Sequence, residues 1–311
     1  MNKGWMGLED HLSKFVLDWV LKSVNPQASV VSVQRLPGST SSRIYCISLC
    51  NERNIEKYVL RQIDDREWLH EEPDLAYHEA ESLRLALHLD IKTPEIIAWD
   101  ETGSSCGVPS VLMTKLDGDV ELIPKCMDNW LNGLAETLST IHMLEGVDSP
   151  WNYYTYNDIS SFDIPTWSDY PDAWGEAIRI VRGFRPEEKL CFIHRDYHPA
   201  NVLWSQNKVG GVVDWVNACL GPAGVDVGHC RLNLAQLFDV ATADHFLTAY
   251  QHYAGSAFRY DSYWDLVSLI DILFGPPTVY PGWAAFGVTG LTDEMMKERL
   301  DAYLLSILRK I

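Results

Sequence analysis

The residues with the clearest chemical potential lie between Cys191 and Trp215, in the stretch CFIHRDYHPANVLWSQNKVGGVVDW. Asp196 and Asn201 occur here at fixed spacing, and Asp214 follows a short apolar run. Transfer of a phosphoryl group from a nucleotide needs one carboxylate that orients and deprotonates a hydroxyl. It also needs an amide oxygen and a second carboxylate that hold a metal ion. The order H-x-D-x-x-x-x-N, followed by an Asp after a strand, therefore predicts phosphoryl transfer.

Each of these side chains has a defined part in such a reaction. We predict that Asp196 is the catalytic base, because a carboxylate beside an acceptor hydroxyl needs only a hydrogen bond and the correct aim. Asn201 and Asp214 are predicted Mg²⁺ ligands, since amide and carboxylate oxygens suit this ion. We interpret His194 as a residue that fixes the loop, and Asp226 as a structural carboxylate at the start of a helix.

The motif resembles that of a known enzyme family. The segments HRDYHPAN and VVDW are similar to H-G-D-x-H-x-x-N and the strand ending in I-D-W of the aminoglycoside phosphotransferase family. That family shares the protein-kinase-like fold with choline kinases and protein kinases. The resemblance covers approximately residues 30–275 and is strongest over 191–230. It implies a small-molecule kinase that uses Mg²⁺ with ATP or GTP as phosphoryl donor, and in which Asp214 binds the ion on the phosphates.

The resemblance also implies a cation on a strand that contacts the phosphates and pairs with a helix Glu. Arg61 lies on the alternating segment 57–61 and is the residue we expect to grip the phosphates, although the family's better-known members have Lys here. A register in which Lys57 serves instead stays open. Glu79 borders the apolar stripe of a predicted helix over 73–89, so we expect it to position Arg61. The alternative is that Glu79 merely flanks the core.

Two further segments are implied nucleotide contacts. The loop Gly38–Ser42 could cover phosphates with backbone N–H groups and with the hydroxyls of Ser39 and Thr40, although Pro-Gly-Ser turns are common. The stretch 112–118, LMTKLDG, resembles the family's linker between lobes. The implied adenine contacts are backbone groups of Thr114 and Leu116, and they do not discriminate between ATP and GTP.

The elements predicted around these residues form two lobes. We predict a strand, turn and strand over 29–49, and further strands at 57–63, 94–99 and 109–116. Helices are predicted at 8–24, 73–89, 127–144, 172–183, 227–237, 242–253, 261–273 and 292–309. The predicted fold class is α+β, a two-lobed protein-kinase-like fold. A nucleotide-binding lobe over 1–115, an antiparallel sheet with one helix, precedes a mostly helical catalytic and substrate-binding lobe over 116–311.

Composition excludes several classes of function. The chain has 311 residues, 47% of them apolar, which is enough for a buried core. A net charge of −18 disfavours nucleic acid as a partner. It favours a cationic substrate, although acidic surfaces also keep proteins soluble. No apolar run is long enough for a membrane span, and the seven scattered cysteines and the lack of a signal-like N-terminus predict a cytoplasmic protein. Oligomeric state is not indicated.

The acceptor substrate is less well defined by the sequence. Our first hypothesis is a hydroxyl of an aminoglycoside-type antibiotic. A metabolic small-molecule kinase acting on choline, a sugar or an amino-acid hydroxyl is close behind, and a nucleotide-binding regulator without turnover is the alternative from another class. A protein kinase is disfavoured because no A-P-E segment follows Asp214. For the candidate substrate residues, a surface or core role is commoner than binding; they are Asp239, Asp244, Asp265, Asp271, Tyr263, Trp264, Tyr280, Trp283 and the loops 151–174 and 275–287.

Overall fold

An antiparallel sheet dominates the N-terminal part of the computed structural model, which describes residues 12–311. Its five strands lie in the order β1-β2-β3-β5-β4. The strands are β1 Ser29–Arg35, β2 Arg43–Asn51, β3 Asn54–Gln62, β4 Ile96–Asp100 and β5 Ser110–Thr114. Helix α1, Lys14–Val24, packs Val16 and Val20 into one core with Tyr45, Ile47 and Leu49 of β2. Residues 8–11 of the predicted first helix lie outside the described residues.

Two helices follow β3, where the sequence predicts one over 73–89. Helix α2 spans Arg66–Glu71 and α3 spans Leu75–Ala86. The first of these begins because the Asp65 carboxylate accepts hydrogen bonds from the N–H groups of Glu67 and Trp68, at 3.0 and 3.1 Å. This N-terminal cap satisfies donors that a helix start otherwise leaves open. The prediction of a single internal helix is therefore wrong, because a short, capped helix precedes the expected one.

The C-terminal part is mainly helical. Its helices are α4 Met127–His142, α5 Pro171–Val181, α6 Ala223–Leu237, α7 Val240–Ala254, α8 Tyr263–Asp271 and α9 Asp293–Leu308. Five short strands accompany them, namely β6 Asp119–Val120, β7 Leu190–Ile193, β8 Val202–Ser205, β9 Lys208–Val212 and β10 Cys219–Pro222. Strands β7 and β10 form an antiparallel pair, and β6, β8 and β9 form a second small sheet.

Helix α6 lies at the centre of this helical part, with most of its residues buried. It approaches α8 closely at two glycines. A Cβ atom on Gly224 would lie 2.2 Å from the Trp264 ring, and one on Gly228 would lie 2.6 Å from the Trp264 carbonyl oxygen. Only glycine permits this contact. The close packing of α6 matters for the candidate site, because this helix carries two side chains that contact residues 194–196.

The chain divides into two compact units. Unit 1 comprises the described part of Met1–Arg84 together with Pro94–Leu116, and unit 2 comprises Leu85–Thr93 with Asp117–Ile311. The predicted α+β class, with an N-terminal antiparallel sheet and a helical C-terminal part, is confirmed. The assignment of the units as a nucleotide-binding and a catalytic lobe stays a prediction. Over residues 12–311, every helix is too short or too polar to cross a bilayer.

Candidate active site

Residues 194–201 of unit 2 carry the sequence motif and are called the motif loop. This loop begins where β7 ends. His194 and Arg195 follow this strand, a 3₁₀ turn covers Pro199–Asn201, and β8 continues from Val202. The ring of His194 is buried, and its Nε2 lies 2.9 Å from the carbonyl oxygen of Val213. This bond joins the motif loop to the segment that carries Asp214, as expected of a residue that fixes the loop.

Asp226 of helix α6 anchors the start of this loop. Its buried carboxylate accepts hydrogen bonds from the N–H groups of His194 at 2.8 Å and Arg195 at 2.7 Å. The Nε2 atom of His142 lies 3.1 Å from the same carboxylate, and Tyr250 in turn contacts the His142 ring at 2.7 Å. Charge-assisted bonds of this kind are stronger than neutral ones. Asp226 therefore has a structural position behind the loop, in agreement with its interpretation from sequence.

Asp196 is held at both of its carboxylate oxygens. The amide Nδ2 of Asn201 donates to the backbone oxygen of Asp196 at 2.8 Å and to its Oδ2 at 3.2 Å. The Nε2 atom of His229 lies 3.1 Å from Oδ1, whereas Nε2 of His198 is 3.7 Å away. One third of the Asp196 side chain remains exposed. The carboxylate is thus oriented and still accessible.

The two imidazoles also set the charge of Asp196. Burial acts to raise the pKa of this carboxyl, but the charges of His198 and His229 and the hydrogen bond from His229 lower it well below its ordinary value. Burial lowers the pKa of His198. For His229 burial acts in the same direction, but the hydrogen bond and charge of Asp196 outweigh it and raise its pKa. Asp196 is consequently a carboxylate at neutral pH, which can only accept hydrogen bonds.

Asp214 follows β9 and is placed next to Asn201 by the backbone. The N–H of Val213 donates to the carbonyl oxygen of Asn201 at 3.0 Å. Asp214 itself has a φ of 68°, a left-handed conformation that is uncommon for residues other than glycine. Such a conformation persists only where the surroundings enforce it. The Trp215 ring, buried and bonded through Nε1 to the Val212 carbonyl oxygen at 3.0 Å, fixes the turn.

The donor chemistry of this pair fits Mg²⁺. Both partners of the Asn201 amide nitrogen are acceptors, so the orientation of this amide is defined and its oxygen is the atom left for a cation. A carboxylate one loop away supplies the second oxygen ligand. Within the described part of the chain, no group of three or more His, Cys, Asp or Glu side chains could hold a metal by itself. An ion at Asn201 and Asp214 would therefore depend on further oxygens, such as those of phosphates.

In unit 1, Arg61 and Glu79 form a buried ion pair. Nη1 of Arg61 donates to Oε1 of Glu79 at 3.0 Å, and Nε donates to the Ser42 hydroxyl at 3.0 Å. Arg61 is 3% exposed and Glu79 is 1% exposed. Lys57, the alternative cation, lies on the exposed part of β3. The predicted pairing of Arg61 with Glu79 is present, and Ser42 links it to the loop after β1.

The remaining predicted nucleotide contacts lie in two other segments of unit 1. Ser39 follows Gly38, which has a φ of 95°, and its hydroxyl donates to the Ser42 carbonyl oxygen at 2.7 Å. Thr40 is exposed. Thr114 ends β5, and its N–H donates to the Glu95 carbonyl oxygen at 2.9 Å, so an adenine contact there would have to use another backbone group. The carbonyl oxygen of Leu116 accepts from Lys115 Nζ at 2.9 Å.

Three of the predicted acidic substrate residues are engaged within the fold. Asp239 caps helix α7 by accepting from Thr242 N–H at 2.8 Å. Asp265 is 1% exposed and forms an ion pair with buried Arg231. Asp244 contacts the same guanidinium at 2.6 Å. Because these carboxylates already have partners within the fold, the structure gives them structural roles.

The aromatic candidates divide between core and surface. Tyr263, Trp264 and Trp283 are buried. Tyr280, by contrast, is 36% exposed, and its ring centroid lies 6.5 Å from that of His198 in the motif loop. Of the four, Tyr280 is therefore the one that has both exposure and a contact with the motif loop.

Arg195 ties the aromatic-rich loop after residue 150 to the motif loop. Its guanidinium lies 4.1 Å from the ring centroids of both Tyr154 and Tyr156, an arrangement typical of cation–π contacts. Its Nη2 also donates to the Tyr154 carbonyl oxygen at 2.9 Å. The neighbouring Asn157 N–H donates to Asp271 at 2.9 Å. Asp271 and the two tyrosines are thereby placed near the motif loop.

Sequence reasoning missed two residues of this site, His229 and Arg195. His229 lies three positions after Asp226 on α6, and residues three apart share a helix face. Since Asp226 lies behind the motif loop, this spacing indicates that His229 faces the same loop. Arg195 stands where the family signature has Gly and has a φ of 66°, so the departure itself was the signal.

Comparison with known proteins defines the family. Residues 32–263 match the family described as APH, phosphotransferase enzyme family. The chain belongs to the phosphotransferase enzyme family. The matched range contains Arg61, Glu79, Asp196, Asn201 and Asp214, and the prediction of a phosphotransferase is confirmed. No curated protein sequence matches the chain.

Solved structures of phosphotransferases resemble the chain at low identity. A candidate aminoglycoside phosphotransferase from Ralstonia eutropha JMP134 is 14% identical with a TM-score of 0.62, covering 96% of this chain and 99% of its own. Aminoglycoside phosphotransferase APH(4)-Ia, as a thermostable mutant in a ternary complex with ADP and hygromycin B, is 17% identical with a TM-score of 0.59, covering 93% and 97%. Macrolide 2'-phosphotransferase MphH from Brachybacterium faecium is 15% identical with a TM-score of 0.55, covering 81% and 87%. These similarities confirm the fold.

Proposed function

We propose that the protein transfers the γ-phosphoryl group of ATP or GTP to a hydroxyl group of a small molecule, with Mg²⁺ as cofactor. This proposal rests on a cluster in unit 2. The amide of Asn201 donates to the carboxylate of Asp196, and the carbonyl oxygen of Asn201 accepts from the N–H of Val213, the neighbour of Asp214. A positioned base next to a pair of oxygen ligands is the arrangement that phosphoryl transfer requires. Family membership supports the same reaction.

In the proposed reaction, Asp196 accepts a hydrogen bond from the acceptor hydroxyl and aims its oxygen at the phosphorus. Because its pKa is lowered, Asp196 is ionised before the acceptor binds. The proton moves to the carboxylate as the new O–P bond forms and the bond between the γ-phosphorus and the bridging oxygen breaks, so that ADP or GDP leaves. A weak base suffices here, since the transition state of phosphoryl transfer is loose and needs mainly positioning.

Asn201 and Asp214 would hold the magnesium ion, through the amide oxygen and the carboxylate. When bound, this ion would neutralise the charge that develops on the phosphate oxygens. Val213 N–H and the His194 ring maintain the two ligands in position, because they connect the strand before Asp214 to the motif loop.

On the nucleotide side, we propose that Arg61 binds the phosphates and that Glu79 and Ser42 hold its guanidinium. Arg keeps the charge of the usual Lys and can present two donors to a phosphate. The hydroxyls of Ser39 and Thr40 and the backbone groups of Thr114 and Leu116 are the further contacts that we assign to the nucleotide. Their support is the resemblance of these segments to the family's loop and linker.

The acceptor that we propose first is an aminoglycoside-type antibiotic. Its support is the net charge of −18 and the similarity to a structure that contains hygromycin B. Asp271 is the predicted substrate carboxylate whose surroundings include Arg195 and His229. A specific observation favours the alternative of a metabolic small-molecule kinase: Asp239, Asp244 and Asp265 have partners within the fold, so they do not offer a row of free carboxylates to a polycation.

We also propose that the enzyme acts in the cytoplasm and binds no nucleic acid. The support for the first is the pattern of scattered cysteines, and for the second the acidic composition. The regulator without turnover is disfavoured because Asp196, Asn201 and Asp214 are all present and adjacent to one another in unit 2.

The test is release of ADP or GDP by the pure protein with Mg²⁺ and either nucleotide. The acceptor panel contains aminoglycosides, macrolides, choline-like amino alcohols, sugars and hydroxy amino acids. We expect one class to stimulate release in the wild type and to have no effect on Asp196→Ala. Nucleotide binding without stimulation by any of these acceptors would contradict the proposal and favour the regulator.

A further inference from the structure

Helix α6 reaches the motif loop with a second side chain besides Asp226. His229 lies one helical turn further along α6, and its side chain is 19% exposed. Its Nε2 atom lies 3.1 Å from Oδ1 of Asp196. Because an ionised carboxylate only accepts, Nε2 carries the hydrogen of this bond. Asn233, whose Nδ2 lies 3.2 Å from the same ring nitrogen, has an acceptor of its own in the His229 carbonyl oxygen at 3.0 Å.

The other imidazole near Asp196 has a different function. Nδ1 of His198 accepts from the Ala200 N–H at 3.4 Å, which caps the 3₁₀ turn. Its Nε2 is 3.7 Å from Oδ1 of Asp196, beyond the range of a hydrogen bond. His229 is thus the side chain that bonds Oδ1, while Asn201 bonds Oδ2 at 3.2 Å.

Fixing both oxygens defines the plane of the carboxylate. An ionised carboxylate has about four lone-pair positions, so one bond at each oxygen leaves positions for the acceptor hydroxyl. Asn201 comes from the motif loop itself, whereas His229 comes from a buried helix that packs on α8. The imidazole therefore links the orientation of the Asp196 carboxylate to the buried helix α6.

We propose that His229 is the positioning residue of the catalytic carboxylate: its Nε2–H holds Oδ1 of Asp196 and sets the direction in which the carboxylate meets the acceptor hydroxyl. The inference rests on the proposed role of Asp196 as the base. His229 acts through Asp196, and its effect falls on turnover rather than on nucleotide binding.

The groups that face His229 also explain its protonation. Asp196 and His198 face it from the motif loop, Asp226 from its own helix and Asp271 from the end of α8. Burial acts to lower the pKa of His229, but the bond and charge of Asp196 and the charges of the other two carboxylates raise it. An imidazolium beside a carboxylate is a stronger donor than a neutral ring, which favours the same geometry.

The kinetic test compares His229→Ala with His229→Gln, in which the amide nitrogen can take the place of Nε2. We expect the kcat of His229→Ala to fall by about 10–100-fold with an unchanged KM for the nucleotide, the range found when a supporting residue of a site is lost. His229→Gln should restore most of this loss. His245→Ala removes a surface imidazole 3.8 Å from Asp128 and serves as the control with wild-type kcat.

A second measurement does not depend on turnover. The titration of His229, followed by NMR of its ring protons, should show a lower pKa in Asp196→Asn than in the wild type. An equal pKa in both proteins, wild-type kcat in His229→Ala, or equal losses in His229→Ala and His229→Gln would each overturn the proposal. If the wild type phosphorylates no acceptor, the proposed function fails, and the NMR comparison alone then decides whether His229 holds Asp196.

Discussion

The motif loop of unit 2 and the ion pair of unit 1 hold their charged groups in opposite ways. Asp196 keeps 33% of its side chain exposed, and its partners are the amide of Asn201 and the imidazole of His229. Arg61 and Glu79 have side chains that are 4% and 2% exposed, and each neutralises the other. The carboxylate of Asp196 is partly accessible, whereas that of Glu79 is enclosed.

Because of this difference, we expect a substitution of Asp196 and a substitution of Glu79 to affect different properties of the protein. A partly exposed carboxylate can be changed without leaving an uncompensated charge in the core. A buried pair cannot lose one member in this way, because the remaining charge has no water to solvate it. In unit 2 an enclosed carboxylate, that of Asp226, holds the motif loop from behind. The carboxylate that we propose as the base and the carboxylate that anchors the loop thus belong to different residues.

The ion pair offers the sharpest test of this contrast. Glu79→Ala leaves Arg61 buried without its main partner, and we expect it to lower the free energy of unfolding by about 3–5 kcal/mol. The matched control is Glu145→Ala, which breaks an exposed pair with Lys189 and should cost about 0–1 kcal/mol. Urea denaturation followed by tryptophan fluorescence measures both. Equal small effects would show that the buried ion pair stabilises the protein no more than an exposed pair does.

The metal ligands should show the behaviour of reactive rather than structural groups. Asp214→Asn removes the charge that we assign to Mg²⁺, so the Mg²⁺ concentration for half-maximal nucleotide binding should rise by at least about 10–100-fold. Calorimetric titration of nucleotide at several Mg²⁺ concentrations measures this. An unchanged dependence on Mg²⁺ would assign Asp214 to the fold instead.

The smallest expected effect is a pH dependence of stability at the loop. His229 has a raised pKa in the folded protein, so its contribution is fully present below its unfolded value of about 6.5 and is lost as pH rises through the folded value. The difference in thermal midpoint between the wild type and His229→Gln should therefore be larger at about pH 6 than at about pH 9. In an Asp196→Asn background this pH dependence should become weaker, because the bond and charge of Asp196 contribute most to the raised pKa; an unchanged pH dependence would show that another group is responsible.

Strong periodicity and a specific motif made much of the fold predictable. The helix expected over 127–144 is observed as Met127–His142, and the stripe of the helix over 73–89 correctly placed Glu79 next to Arg61. Helix α2 was not predicted because it has one capped turn and little apolar pattern. Such a short helix depends on Asp65 more than on periodicity.

Contacts between residues that are distant in sequence account for what the sequence left open at the site. Asp244 and Asp265 resemble substrate carboxylates in the sequence, but both contact Arg231, which no local pattern indicates. The same limitation applies to His229, whose partner Asp196 is on another element. Residue types and spacing predict the candidate reactive groups, whereas the residues that hold them depend on packing between elements.

We propose that Asp196 performs the chemistry of the site and that the protein folds without its carboxylate. The most direct measurement is the single-turnover rate of phosphoryl transfer to the best acceptor, for the wild type and Asp196→Asn, with the unfolding midpoint of the same samples. Asp128→Asn, at an exposed position, is the control. We expect a rate lower by about 10²–10⁴-fold for Asp196→Asn and an unchanged midpoint at about pH 9, where the stabilising contribution of His229 is lost. A wild-type rate in Asp196→Asn, or a loss of rate that follows a loss of folding, would contradict it.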